Sequence, residues 1–229
     1  MRYATLAVSA ATTIALASSA MAGIVFNDSS TDLPAGGNDL ENILSVEVSH
    51  DAASIKFRLT LNGISNPYNT NQYGLALSTP GAATKTTAVW ANQASFASNG
   101  GMNYTVRADP SYNGRTFFQS HGANGWSPNA ENQNSGIGTN YDTNTLDIYV
   151  TRSAIGMDVD ATLFFDVWAI ARDNSVFDAL STNATLGGYS QDFTTTSALS
   201  YTIGNPVPAP GAFALLGAAG LFGSRRRRA

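Results

Sequence analysis

Side chains that could bind a metal ion are concentrated in a glycine-containing stretch near the N-terminus. They are Asp28, Asp32, Asn38, Asp39 and Glu41. Carboxylate and amide oxygens are the ligands that calcium prefers, and the ion takes about six to eight of them. The spacing does not match the EF-hand loop, which needs ligands at fixed alternate positions and a final glutamate. We expect either a calcium site that includes Asp28, Asp32 and Asp39, or an ordinary solvated loop with aspartates in turns.

A second acidic group flanks a long apolar stretch late in the chain. Its members are Asp158, Asp160, Asp173 and Asp178. Two of them precede the stretch and two follow it, so a strand there would hold them at opposite ends of a sheet. This group is therefore expected not to share one ion, and loop solubility explains its charges.

Aromatic side chains offer a different chemistry, because the C–H face of a pyranose ring packs on an aromatic ring. The candidates are Trp90, Trp126, Trp168, Tyr68, Tyr104, Tyr112 and Tyr141. Trp168 lies in the most apolar stretch and is predicted to be in the core. Trp126, in a stretch rich in glycine and asparagine, is predicted to be exposed and is the candidate glycan contact. The alternative is that these rings are ordinary packing residues.

Catalytic residues are not evident in the sequence. There is no cysteine, which excludes disulfides, thiolate metal sites and thiol nucleophiles. The histidines His50 and His121 have no Gly-x-Ser-x-Gly turn to pair with, and nothing orients Met102 and His121 toward a haem. A glycosidase needs two carboxylates facing each other across a cleft, which spacing alone does not test. We expect a protein that is not an enzyme, with an extracellular hydrolase as the weaker alternative.

The charge balance narrows the range of partners. Five of the 12 basic residues, Arg2 and Arg225–Arg228, lie in the two terminal segments. The seven others face all 16 acidic residues, so residues 23–205 carry a net charge of −9. This balance argues against a nucleic-acid partner and is compatible with calcium.

Alternation of apolar and polar residues predicts that residues 23–205 are all-β. The expected strands lie in residues 43–49, 55–61, 73–77, 88–90, 104–108, 116–120, 146–151, 162–171 and 200–203. Residues 43–61 predict a hairpin, and residues 162–171 a central strand that is apolar on both faces. Residues 111–145 are interpreted as a hairpin followed by a long surface loop. The pattern predicts a single β-sandwich of about eight or nine mostly antiparallel strands.

The first 22 residues have the features of a secretory signal peptide. Met1-Arg2 is followed by an apolar run from Tyr3 to Ala17, which we expect to be helical. Ala20 and Ala22 form a small-x-small cleavage site, so the mature chain is expected to begin near Gly23.

Residues 206–229 combine a proline turn, an apolar run and a basic terminus. Val207-Pro208-Ala209-Pro210-Gly211 precedes the run, which ends before Arg225, Arg226, Arg227 and Arg228. The run from Gly211 to Gly223 is shorter than the roughly 20 residues of a usual membrane helix. By the positive-inside rule, the arginines would stay cytoplasmic and the body outside.

This tail resembles a PEP-CTERM sorting signal, with Ala209 where the common pattern has glutamate. The resemblance implies a short hydrophobic helix, a Gram-negative host and processing by an exosortase-type transpeptidase near Pro208–Pro210. It also implies export to the cell envelope or extracellular matrix, with the membrane as a partner before processing. An ordinary C-terminal anchor is the alternative.

The body more loosely resembles the carbohydrate-binding-module-9-like and DOMON-like β-sandwich domains. The features that carry this resemblance are residues 43–61, 73–77, 150–156, 163–171 and 178–181. Such domains bind sugars, haem or no known ligand, so the resemblance leaves function open. We therefore expect an exported, non-catalytic protein associated with exopolysaccharide, with a carbohydrate-binding module, calcium-dependent or not, as the alternative.

Overall fold

The structure is a computed structural model that describes ten stretches of the chain. They are residues 23–34, 42–63, 72–81, 84–88, 90, 93–110, 114–140, 143–171, 174–186 and 191–204. The chain divides into two units, and all of these residues belong to the unit Ala20–Pro206. The expected signal helix of residues 1–22 and the sorting segment of residues 206–229 lie outside the described residues.

The described residues are almost entirely β-structure. Their strands are β1 Ile24–Asn27, β2 Ile43–His50, β3 Ser54–Leu61, β4 Gln72–Ser78, β5 Ala94–Phe96, β6 Tyr104–Asp109, β7 Arg115–Gly122, β8 Gly125–Trp126, β9 Ala130–Glu131, β10 Ser135–Asn140, β11 Thr145–Thr151, β12 Thr162–Ile170, β13 Val176–Ala179, β14 Phe193–Thr195 and β15 Leu199–Thr202. Short 3-10 turns occupy Ser98–Gly100 and Arg152–Ile155. Within these stretches no helix has the length and apolarity that crossing a membrane requires.

One sheet has five antiparallel strands in the order β1-β2-β3-β11-β10. At its centre is the predicted hairpin of β2 and β3, in which Val48 pairs with Phe57 and Val46 with Leu59. The carboxylate of Asp51 closes the turn by accepting hydrogen bonds from three donors of the residues that follow. The apolar residues of this hairpin therefore lie on a buried face and the polar residues on the opposite face, as their alternation predicted.

The other large sheet has the order β13-β12-β4-β6-β7-β8, with β15 also paired to β12 and β9 to β7. Its strands are antiparallel. The long strand β12 is central and is buried along most of its length. This confirms the prediction made from its apolar residues on both faces.

A single hydrophobic cluster contains side chains of both large sheets. Phe165 of β12 is its clearest member, because its ring packs edge-on against two rings of the five-stranded sheet. The centroid distances are 5.3 Å to Phe26 and 5.4 Å to Phe57. The all-β prediction is confirmed, and the inner faces of both sheets contribute to one core.

The opposite face of β12 and β4 carries a second hydrophobic cluster, which we call the outer cluster. It is made of Ala76, Ala88, Ala94, Phe96, Met102, Trp168, Ile170, Val176 and Ala179. Strand β5 supplies two of these residues, Ala94 and Phe96. Strand β14 pairs with β5 in parallel and borders the cluster. The eight-stranded sheet is thus covered on both faces around β12.

The fully buried carboxylate of Asp166 connects this outer layer to the sheet. It accepts hydrogen bonds from Trp168 Nε1 at 3.0 Å, Ser181 N at 3.0 Å, Ser181 Oγ at 2.7 Å and Val167 N at 2.8 Å. The Thr195 hydroxyl donates a further bond. Burial raises the pKa of Asp166, and hydrogen bonds from the side chains of Thr195, Ser181 and Trp168 and from Val167 N act in the opposite direction.

The prediction for the glycine- and asparagine-rich stretch, residues 111–145, was correct in part. The expected hairpin is formed by β7 and β8, but β9 and β10 lie where a long surface loop was expected. Tight turns make this possible, because Asn132 and Asn134 adopt left-handed backbone conformations that asparagine tolerates. The expected strand at residues 88–90 is also absent from its described residues, 88 and 90; isolated bridges lie just before it, at Lys85 and Thr87.

Replacing Phe165 by alanine should cost about 3–5 kcal/mol of unfolding free energy, because it leaves a cavity between the two sheets. The neighbouring Phe164 points to the other face of β12 and is half-buried, so its replacement by alanine should cost about 1–2 kcal/mol. Urea denaturation of both variants measures the difference. Equal losses would contradict the placement of Phe165 in the shared core.

Candidate metal centre and outer aromatic face

Three aspartates meet where the loop after β1 reaches β13. One carboxylate oxygen from each of Asp28, Asp32 and Asp178 lies within 4.8 Å of the others. Asp28 and Asp32 belong to the predicted calcium stretch. Asp178 comes from the second acidic group and lies in a fully buried strand.

Hydrogen bonds fix Asp178 but leave much of the cluster without donors. Asp178 Oδ2 accepts from Ile43 N at 2.6 Å, and Oδ1 accepts from Ala179 N at 2.8 Å. Asp28 Oδ1 accepts from Ser29 N at 2.8 Å. Within the described part of the chain, Asp28 Oδ2 and both carboxylate oxygens of Asp32 are buried without a hydrogen-bond partner.

The electrostatics of the cluster are unfavourable for three ionised groups. Burial, together with the neighbouring aspartates, raises the pKa of Asp28 to about 7 and that of Asp178 to about 8. Burial also raises the pKa of Asp32. The ion pairs found among the described residues, Arg58–Asp147 and Arg115–Glu131, do not involve these aspartates. Proton binding or cation binding would relieve the repulsion.

Asn42 supplies a fourth oxygen beside the same loop. Its Nδ2 donates to the Ser30 carbonyl at 3.1 Å, which holds the amide against the segment between Asp28 and Asp32. Its Oδ1 is buried and has no hydrogen-bond partner in the described residues. The next residue, Ile43, donates its N–H to Asp178. Asn42 therefore contacts the loop, and the residue that follows it contacts β13.

The structure revises the predicted ligand set. Asp28 and Asp32 come together as expected, whereas Asp39 lies outside the described residues. Asp178 was wrongly attributed to loop solubility, because it is 2% exposed within Val-Phe-Asp-Ala. A carboxylate within such an apolar strand was the missed signal. Asp158 and Asp160 are exposed, as expected of loop residues.

The histidines have structural surroundings. His50 is buried, with Nδ1 2.6 Å from the Tyr201 hydroxyl and Nε2 3.1 Å from the Gly204 carbonyl oxygen. His121 packs edge-on against Trp126. Met102, considered with His121 as a haem ligand, lies fully buried in the outer cluster.

The three tryptophans differ in exposure. Trp168 is buried, as predicted. Trp90 and Trp126 are both half-buried against the outer cluster, so Trp126 is less exposed than expected. Tyr104 is half-buried on the inner face. Tyr68, Tyr112 and Tyr141 lie outside the described residues.

Trp90, Arg107 and Phe117 form a row on the outer face of the eight-stranded sheet. The Arg107 guanidinium lies 4.1 Å from the Phe117 ring centroid and 5.8 Å from that of Trp90. Gly74 makes room for Trp90, since a Cβ there would meet the indole at 2.6 Å. Burial lowers the pKa of Arg107, although the charge of Asp109 opposes this.

Several buried polar atoms on this face have no hydrogen-bond partner in the described residues. They are Trp90 Nε1, Gln93 Oε1, Thr105 Oγ1, Arg107 Nε, Gln119 Oε1 and His121 Nδ1. Buried polar atoms are normally paired with protein, water or ligand. We call Trp90, Arg107, Phe117 and Trp126 together the aromatic face.

The outer face of the five-stranded sheet is polar instead. A depression of about 470 Å³ there is lined by Arg58, Gly138, Thr139, Thr143, Thr145 and Asp147. The guanidinium that lines this depression is already paired, because Arg58 donates two hydrogen bonds to Asp147, at 2.7 and 2.8 Å. The two outer faces therefore present different chemistry, and among the described residues no carboxylate forms such a pair with the guanidinium of the aromatic face.

No protein-family model matches this chain, and no curated protein matches it. The resemblances of its tail and body remain predictions.

The Arg58–Asp147 pair predicts a pH-dependent coupling. Burial alone would raise the pKa of Asp147, but the hydrogen bonds and charge of Arg58 outweigh it and hold that pKa below its ordinary value of 3.8. The pair therefore stabilises the fold fully above pH 3.8, and this contribution disappears as the pH falls through the lower folded-state value.

A double-mutant cycle of Arg58→Gln and Asp147→Asn should give a coupling of about 0.5–1 kcal/mol at neutral pH, since Arg58 is partly exposed. Denaturant unfolding at several acidic pH values should show the coupling vanish. A coupling that persists after protonation of Asp147 would contradict the charge-based account.

Proposed function

We propose that this protein is an exported, non-catalytic β-sandwich protein of the cell envelope or extracellular matrix that associates with exopolysaccharide. The sandwich is supported by the single core to which both large antiparallel sheets contribute. Export is supported by the signal-peptide features of residues 1–22 and the PEP-CTERM-like features of residues 206–229. An exosortase-type transpeptidase is the proposed processing partner.

The aromatic face is the observation that carries the glycan association. Trp90 and Phe117 flank Arg107 in one row. Trp126, like Trp90, packs against the outer cluster. Half-buried rings stack on the apolar faces of sugars, while a guanidinium and amides hydrogen-bond hydroxyl or carboxylate groups. Arg107 and Phe117 pair directly across β6 and β7, so strand pairing fixes their relative positions.

A hydrolase is disfavoured by the location of the clustered carboxylates. A glycosidase places two carboxyl groups about 5–10 Å apart across a cleft that admits the polymer. Asp32 is 3% exposed and Asp178 is 2% exposed. Both carboxylates are thus packed against protein, and a polysaccharide cannot reach them without displacing the loop after β1.

A dedicated carbohydrate-binding module is the second candidate function, and the row of Trp90, Arg107 and Phe117 favours it. The two candidates differ in the ligand they require. A dedicated module binds a defined soluble oligosaccharide, whereas a matrix protein binds the polymer through repeated weak contacts. Titration with short oligosaccharides separates them.

Trp126→Ala and Arg107→Gln should each weaken binding to purified exopolysaccharide about tenfold, which corresponds to about 1.4 kcal/mol. The loss of a stacked ring or of a guanidinium contact is the physical reason. Co-sedimentation of the purified exported protein with the polymer is the measurement.

Tyr149→Ala is the matched control, because Tyr149 is an exposed ring, 38% accessible, on the outer face of the other sheet. It should leave polymer binding unchanged. If the Tyr149 variant loses binding while the aromatic-face variants retain it, the proposed surface is wrong.

Replacing Arg225–Arg228 by glutamine should prevent processing of the tail, because the resemblance assigns recognition to the arginine cluster. The unprocessed protein should keep the mass of residues 206–229 and stay with the membrane fraction. Mass spectrometry of the mature protein and cell fractionation provide the measurement. Normal processing and location would remove the basis for the sorting proposal.

A further inference from the structure

We propose that Asp28, Asp32, Asn42 and Asp178 form a calcium-binding site that joins the loop after β1 to β13. The three carboxylates converge within 4.8 Å. The Asn42 amide is anchored on the same loop. This proposal is independent of glycan association, because none of these residues belongs to the aromatic face.

Free oxygen atoms are the first argument. Asp28 Oδ2, both oxygens of Asp32, and Asn42 Oδ1 are buried and have no hydrogen-bond partner in the described residues. Asp32 is 3% exposed and Asn42 is 2% exposed, so bulk water does not solvate these groups. Burying an acceptor without a partner is unfavourable, and more so when the group is charged. A bound cation satisfies several of them at once.

The second argument is the kind of ligand. All four side chains offer oxygen, and neither imidazole nor thiolate belongs to the group. Hard oxygen donors select calcium or magnesium over zinc and copper. Asp28 and Asp32 lie in the loop after β1, and the Asn42 amide is hydrogen-bonded to that loop. Calcium accepts such irregular, partly dehydrated sites, whereas magnesium demands near-octahedral geometry and keeps several waters.

Charge supplies the third argument. The described ion pairs leave these aspartates without a basic partner. One oxygen of each carboxylate lies within 4.8 Å of the others, so ionised Asp28, Asp32 and Asp178 repel one another strongly. A divalent cation compensates this repulsion directly and allows the carboxylates to stay ionised.

The position of the site indicates a structural ion. Asp28 follows an end strand of the five-stranded sheet, and Asp178 lies in an end strand of the eight-stranded sheet. Ile43, at the start of β2, donates its N–H to Asp178. An ion held by these residues links the two sheets electrostatically, in addition to the packing of side chains in their shared core. Its binding should therefore appear as thermal stability.

The test is thermal unfolding of the purified full protein after treatment with EGTA, followed by titration with calcium chloride or magnesium chloride. Calcium should raise the melting temperature, as expected for a ligand that binds only the folded state. Magnesium at the same concentration should raise it much less. Isothermal titration calorimetry should show one calcium bound per chain.

Asp32→Asn and Asp178→Asn should weaken calcium binding at least tenfold and abolish the thermal shift. In EGTA, Asp32→Asn should melt at or above the temperature of the native protein, because it removes a repulsive charge. This result distinguishes a lost ligand from a misfolded variant. Asp158→Asn, a change of the same type at an exposed loop position, should leave the calcium response intact.

Three outcomes would overturn the proposal. One is a melting temperature of the native protein that calcium does not change. Another is a full calcium response that survives in both Asp32→Asn and Asp178→Asn. An equal shift with magnesium would overturn the assignment to calcium.

Discussion

Buried carboxylates need hydrogen-bond or ionic partners, and two buried aspartates of this protein differ in whether the described residues supply them. Asp166 is fully buried in β12 and accepts five hydrogen bonds from its surroundings. Asp32, buried to nearly the same extent, accepts none from the described residues. Protein donors thus satisfy the first carboxylate, while both oxygens of the second are without donors among the described residues. The proposed calcium site rests on this contrast.

The satisfied carboxylate also organises the aromatic face. Asp166 binds the Trp168 indole and the Thr195 hydroxyl, which connects β14 to the central strand. Strand β14 pairs with β5, and together they border the cluster against which Trp90 packs. Gly74 then leaves the space that the Trp90 ring occupies. A single buried acid therefore helps to position the cluster against which Trp90 and Trp126 pack.

The strands that could be predicted were those whose sequence shows apolar residues on one face, through alternation with polar residues, or on both faces. The hairpin of β2 and β3 and the central strand β12 follow from one or two apolar faces, which the sequence displays directly. Strand β10, Ser-Gly-Ile-Gly-Thr-Asn, has no such pattern, because it is an end strand whose formation depends on pairing with β11. The partnership of Asp32 with Asp178 was likewise hidden, since it depends on tertiary packing of distant segments.

That distance has a kinetic consequence. The hydrogen bond from Ile43 to Asp178 spans 135 positions of the chain. Closing so large a loop is entropically costly, and contacts of high sequence separation slow the folding of β-proteins. We therefore expect the acidic centre to assemble late in folding, after most of the chain has collapsed. A calcium ion at the proposed site would then prolong the lifetime of the native state by slowing unfolding, while the rate of folding would change little.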